Sequence, residues 1–163
     1  MTPTTTPLSL KEHLRNQTER GHRLLVNDLQ ALAAEKHNVG PGGSARPAIH
    51  IVAECAAVNQ MIAGYLRTGT RAPRPTPEER EAHLSAFDTT DKALNYLRDA
   101  TEELLGAIAM LDESTLGEMS DQPLGRPMTR FAVAELPAFH MMYHDGQLNY
   151  IHTLHGDTEM HWG

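Results

Sequence analysis

Leucines recur three and four residues apart through most of this chain, and apolar and polar residues almost nowhere alternate. That period belongs to amphipathic helices, and it leaves little material for strands. Leu10 and Leu14, then Leu25, Leu29 and Leu32, mark a first helix. Ser9 can cap its start, and Glu12 three residues on completes a capping-box pattern. The glycine- and proline-bearing run His37 to Ser44 should end it. A second helix is expected after Ser44, a candidate cap, with Pro47 tolerated in the first turn. Ile49, Val52, Ala56, Asn59 and Ala63 share one stripe of it, and Ile51, Cys55, Val58, Ile62 and Leu66 lie beside them. So broad an apolar surface implies a well-buried helix. Between Gly69 and Thr90 three prolines and many charges read as a crossing connection, with a short helix from Pro77 after a Thr76 cap. A third long helix starts near Thr90 and carries Leu94, Leu97, Thr101, Leu104, Leu105, Ile108 and Leu111 on the helical period. After the irregular stretch from Ser114 to Met128, a fourth begins near Thr129 and reaches Leu154, stopped by Gly156. Pro137 inside it should kink or split it. The expected fold is all-α: a four-helix bundle with a long crossover between helices 2 and 3. Residues 1–8 read as a flexible tail, and residues 9–163 as a single domain.

Composition removes several function classes. A chain of 163 residues suits one core. With 14 Lys+Arg against 21 Asp+Glu, pI about 5.8 and 5% aromatic residues, it is a poor nucleic-acid binder. One cysteine, Cys55, leaves no intramolecular disulfide and no CxxC pair. The uninterrupted apolar stretches fall short of the ~20 residues of a membrane span, and the first residues carry no secretory pattern. Those features read as a cytoplasmic protein with no nucleic-acid or membrane partner.

Ten histidines are the unusual feature. His140 and His144, four apart on the fourth helix, put two imidazoles on one face, where both can bind one divalent metal. A third ligand should come from another helix, and the second helix offers His50 and Glu54. Glu54 lies among apolar neighbours, where a carboxylate needs a cation, a donor or solvent. Whichever of the two is not a ligand is the nearest candidate for a general base. His152 and His155 read as surface residues, as do His13, His37, His83 and His161, and His22 as a core histidine. Cys55 reads as an inert core residue. Gly146 on the last helix should allow close helix approach, within the core or at a dimer seam. There is no P-loop, GxGxxG, GxSxG or HExxH. ExxH occurs once, as Glu19 with His22, whereas a di-iron bundle needs it on two helices.

The stretch HMMYHDGQLNYIHTLHGDTEMHW, with His140, His144, Gly146 and Gln147, resembles the last helix of the DinB-like superfamily. SARPAIHIVAECAAVN, following a glycine-rich loop, is similar to the second helix of those proteins. The resemblance implies a metal-binding four-helix bundle whose second helix supplies one further histidine. Aligning CAAVN places that histidine at Glu54. So Glu54 takes its place, His50 reaches in from one turn earlier, or the site binds no metal. Neighbours and alignment both favour Glu54, giving a two-histidine, one-carboxylate set. Zn is the first expected metal, and such a set also accommodates Ni, Fe or Mn. The resemblance further implies a homodimer acting on a small-molecule substrate or a low-molecular-weight thiol, by hydrolysis or thiol transfer. The alternative is a non-catalytic homodimeric stress or binding protein with a vestigial metal site.

Overall fold

The computed structural model describes residues 8–120 and 125–162. All but the last residue of the expected tail lies outside that range. The five α-helices of the described residues are α1 (Leu10–Ala31), α2 (Ala48–Thr68), α3 (Pro77–Ser85), α4 (Thr90–Ala109) and α5 (Arg130–Leu154). The four long ones form the bundle. α2 packs chiefly on α4 and α1 on α5, with α2 also against α5. α3 sits in the crossover between α2 and α4.

Local chemistry explains most boundaries. The Ser9 hydroxyl accepts from the Glu12 amide and the Glu12 carboxylate accepts from the Ser9 amide, closing the box at the start of α1. Thr76 and Glu79 repeat that arrangement at α3, with Pro77 at its first position. Thr89 and Thr129 cap α4 and α5 through their hydroxyls. A two-residue antiparallel ribbon, β1 (Met119–Ser120) with β2 (Met128–Thr129), leads the chain into α5. The Arg130 and Phe131 amides at the start of α5 are satisfied by the Glu118 and Leu116 carbonyls, each at 2.9 Å.

Three boundaries differ from the sequence reading. α1 stops at Ala31, well before the glycines, because Leu32 turns extended and keeps its side chain buried. His37 then folds back instead of facing solvent. Its Nε2 donates to the Leu32 carbonyl at 2.7 Å, and its Nδ1 accepts from the Thr90 hydroxyl at 2.6 Å. The ring ties the end of α1 to the start of α4. α2 has no side-chain cap; Ser44 is uninvolved, and the His37 carbonyl accepts from the Ile49 amide at 3.1 Å. Finally, α5 is one helix and not two. Pro137 is buried within it and removes a single amide donor, while Val133 and Ala134 before it and Met141 after it all pack in the core.

The core lies in two apolar clusters. Leu25, Leu29, Val52, Cys55, Leu97, Met141 and Leu148 fill one. Leu14, Ile62, Leu104, Ile108 and Val133 fill the other. A polar contact sits among them: the Asn59 amide donates to the Thr101 hydroxyl at 3.0 Å. α2 is long and apolar enough to cross a membrane by length and composition, but it serves here as the core helix, with 56% of its most apolar window buried in the bundle.

α1 and α5 approach closely at Gly21. A Cβ there would lie 3.1 Å from the Met141 Cβ and 3.4 Å from the Ala138 carbonyl oxygen. Gly64, on α2, has nothing within 4 Å of such a carbon. Gly21→Val is therefore expected to destabilise the protein by about 1–3 kcal/mol through overpacking. Gly64→Ala is expected to stabilise it by up to ~1 kcal/mol through helix propensity. Urea unfolding midpoints check both; a Gly21→Val midpoint at or above the parent's would contradict the close approach.

Candidate metal centre

The helical period sets His140 and His144 one turn apart on α5, and the bundle turns that face inward. His144 is buried and His140 partly so. Their Nε2 atoms face each other at 3.2 Å. The Gln147 side-chain oxygen lies 2.8 Å from His144 Nδ1 and accepts from it, which places the ring's hydrogen on Nδ1 and leaves a lone pair on Nε2. His140 Nδ1 is buried without a hydrogen-bond partner. Burial, and then the neighbouring His144, push the His140 pKa down to about 4, so the ring is neutral near pH 7.

This pair fits a metal ion. Two imidazole nitrogens on one tetrahedral ion, each bonded at about 2.0–2.1 Å, stand about 3.3 Å apart. The observed 3.2 Å separation is close to that edge. The Cys55 sulfur completes a group of three donors whose ligand atoms lie within 4.8 Å of one another. Cys55 is fully buried, as the sequence reading expected of a core residue, yet its sulfur faces the histidine pair. Burial, and then the charge of Glu54, push its thiol pKa well up.

Of the residues singled out in the sequence, His140 and His144 are brought together as expected. Glu54 lies next to Cys55, with its carboxylate accepting from Arg46 Nη1. Its charge acts on both Cys55 and His140. His50, half-buried one turn earlier, belongs to neither of the metal-capable groups found among the described residues. His155 is exposed, but His152 is buried, with 2% of its surface accessible, contrary to its reading as a surface residue. The reason lies on α1: His152 Nε2 donates to the Asp28 carbonyl at 2.8 Å.

The sequence reading also passed over two carboxyls. Asp28 and Asp145 are buried on the facing sides of α1 and α5. Asn149 donates to Asp28 Oδ2. The Asp145 pKa is pushed up to about 7, by burial first, then by the charge of Asp28 and a hydrogen bond to it. The available signal was an acid within an apolar stripe, Asp28 between Leu25 and Leu29. Outside the centre runs an open groove of about 590 Å³. It reaches the centre at Arg46 and Gln147 and continues past Gly146 and Tyr150 to Leu154.

Comparison with known proteins agrees with this architecture. The profile of the DinB superfamily matches residues 17–148. A solved conserved protein from Enterococcus faecalis superposes with a TM-score of 0.71 at 14% identity, over 91% of this chain and 98% of that one. A mycothiol-dependent maleylpyruvate isomerase superposes with a TM-score of 0.67 at 15% identity. There the match covers 88% of this chain but only 61% of the isomerase. A mutant of the isomerase gives the same TM-score at 16% identity. No curated protein matches by sequence.

The buried acid pair has a consequence for stability. Because folding raises the Asp145 pKa from its usual 3.8 to about 7, the folded state binds the extra proton between those values. Its contribution is most favourable below pH ~4 and is lost as pH rises through about 7. Asp145→Asn, measured by urea unfolding in chelator at pH 5 and pH 8, should gain on the parent at the higher pH. A difference from the parent that is equal at both pH values would contradict this.

Proposed function

The chain belongs to the DinB superfamily, and on that footing we propose that it is a divalent-metal-dependent enzyme working on a small molecule in the groove beside α5, with a low-molecular-weight thiol or water as nucleophile. The observation that carries this reading is the inward-facing His140–His144 pair, its Nε2 atoms 3.2 Å apart and one ring oriented by Gln147. His140 and His144 are the two nitrogen ligands. Cys55 is the third, in preference to Glu54, because Glu54 is engaged with Arg46 while the Cys55 sulfur faces the pair. A nitrogen–nitrogen–sulfur set favours zinc. A bound ion of this kind supplies Lewis acidity, lowering the pKa of a coordinated water or thiol towards neutrality.

The chain's own residues do the rest. Gln147 fixes the His144 ring so that its free lone pair stays directed at His140. Arg46 lines the groove with its guanidinium partly exposed, so an anionic group on the substrate meets a fixed positive charge there. Glu54, held by that arginine beside Cys55, is the candidate general base and accepts the nucleophile's proton on a carboxylate oxygen. The thiol reading draws support from the fold neighbour, a mycothiol-dependent isomerase.

Titration of tag-free protein with Co²⁺ and Zn²⁺ tests the centre. His140→Ala and His144→Ala should each weaken binding there by at least about tenfold. The Co²⁺ form should show a thiolate charge-transfer band that Cys55→Ser abolishes and that Glu54→Gln and His50→Ala retain. If the band is missing and Glu54→Gln loses affinity, the third ligand is Glu54. Undiminished binding in both histidine variants would dismiss the centre, and with it the enzyme reading.

One observation favours the second reading, a non-catalytic homodimer. Phe139, Tyr143, Tyr150 and Leu154 lie along one exposed face of α5, from 49% to 64% accessible. Gly146 on the same helix has nothing within 4 Å of a would-be Cβ among the described residues, which leaves that face open to a second helix. Light scattering should give twice 18.0 kDa, and Tyr150→Asp should shift the protein towards the monomer. A monomeric parent at every accessible concentration would refute the dimer.

A further inference from the structure

Among the described residues, His37 and His152 each donate through Nε2 to a backbone carbonyl, and they differ in what faces the other nitrogen. At His37 that neighbour is the Thr90 hydroxyl, which can donate or accept, so both ring nitrogens are satisfied. At His152 it is a carboxylate. His152 Nε2 reaches the Asp28 carbonyl at 2.8 Å, and a carbonyl only accepts, so Nε2 carries the ring's hydrogen. His152 Nδ1 then presents a lone pair to Asp157 Oδ2 at 3.1 Å. Two acceptors at that distance need a positive charge between them. His161 Nε2 converges on the same carboxylate oxygen, at 2.9 Å. The two rings stand 4.8 Å apart between centroids.

We propose that His152, Asp157 and His161 form a second divalent transition-metal site, separate from the His140–His144 centre, which fastens the segment after α5 to the α1–α5 seam. The three donor atoms lie within 4.8 Å of one another. Their separations of 2.9 and 3.1 Å are close to the edges of a tetrahedral site built from bonds of about 2.0–2.2 Å. The buried member is oriented from behind by a backbone carbonyl, the arrangement that fixes the tautomer of metal-ligating histidines. The outer two are partly exposed, which leaves an entry path and room for water as a further ligand. Two imidazoles and one carboxylate suit Zn²⁺, Ni²⁺ or Cu²⁺. Bound there, the ion occupies the position that protons on the two rings would otherwise take. It links residue 152 inside the bundle to residues 157 and 161 beyond the helix end.

The chain's one tryptophan, Trp162, follows His161 directly and is largely exposed, so its emission reports on this site. The test uses the full chain, without a tag, carrying His140→Ala and His144→Ala so that the first centre is silent. Titration with Zn²⁺ should change Trp162 emission saturably at one equivalent, and Cu²⁺ should quench it. Adding His161→Ala or Asp157→Asn should weaken both responses by at least about tenfold. His155→Ala, exposed and outside the cluster, should leave them unchanged. Circular dichroism verifies that each variant is folded, and neither Asp157 nor His161 is a core residue. No saturable response below about 100 µM metal would overturn the site, as would a response indifferent to both substitutions, and the cluster would then be a proton-bridged ion pair. Since the first centre is removed in this background, the result stands apart from whether that centre binds metal.

Discussion

Asp28 is wholly buried where α1 meets α5, and a carboxyl in that position must find its partners on the opposite helix. It finds three. Asn149 donates to its side chain, the Asp145 carboxyl faces it within hydrogen-bond reach, and His152 donates to its backbone carbonyl. Those partners sit one to two turns apart along α5, so satisfying Asp28 sets the register of α5 against α1. The close contact of Gly21 with Met141 and Ala138 presses the same two helices together two turns away. With α5 so placed, the face bearing His140 and His144 turns towards Cys55 on α2.

One polar seam therefore serves two clusters of metal-capable side chains. Towards the middle of α5 the His140 ring is held neutral by burial and then by the neighbouring His144. Towards the C-terminal end, His152 links Asp28 to Asp157 and His161. The seam contains orphaned buried oxygens on Asp28 and Asp145. A carboxyl that holds its proton up to about pH 7 reduces what that burial costs, since two full charges side by side in a core are far more expensive than one.

For the proposed third ligand, chemistry and position pull apart. By residue type Glu54 is the more conventional partner for two histidines, and its place in an apolar helix demands a counter-charge. Arg46, eight residues earlier in the loop before α2, supplies that charge. Once the carboxylate is engaged, the adjacent residue offers the donor that faces inward. A one-residue step along a helix rotates the side chain by about 100°, which separates an edge position from a core position. That step divides Glu54 from Cys55.

Much of the fold was legible in local pattern. The 3.6-residue period of the leucines, the capping box at Ser9 and the cap at Thr76 fixed which segments are helices and where several begin, because those signals arise within a few residues of one another. The i,i+4 spacing of His140 and His144 likewise placed two imidazoles on one face, since a single helix decides that geometry. Where α1 ends was not legible, because Leu32 leaves the helix to stay in the core and His37 returns to cap it. The burial of His152 rests on an α1 carbonyl 124 residues away in sequence, and the engagement of Glu54 rests on a loop arginine. Which of Glu54, His50 and Cys55 faces the pair depends on the rotation and register of α2 against α5. Periodicity shows which face of a helix is apolar, but only the packed structure decides what that face meets.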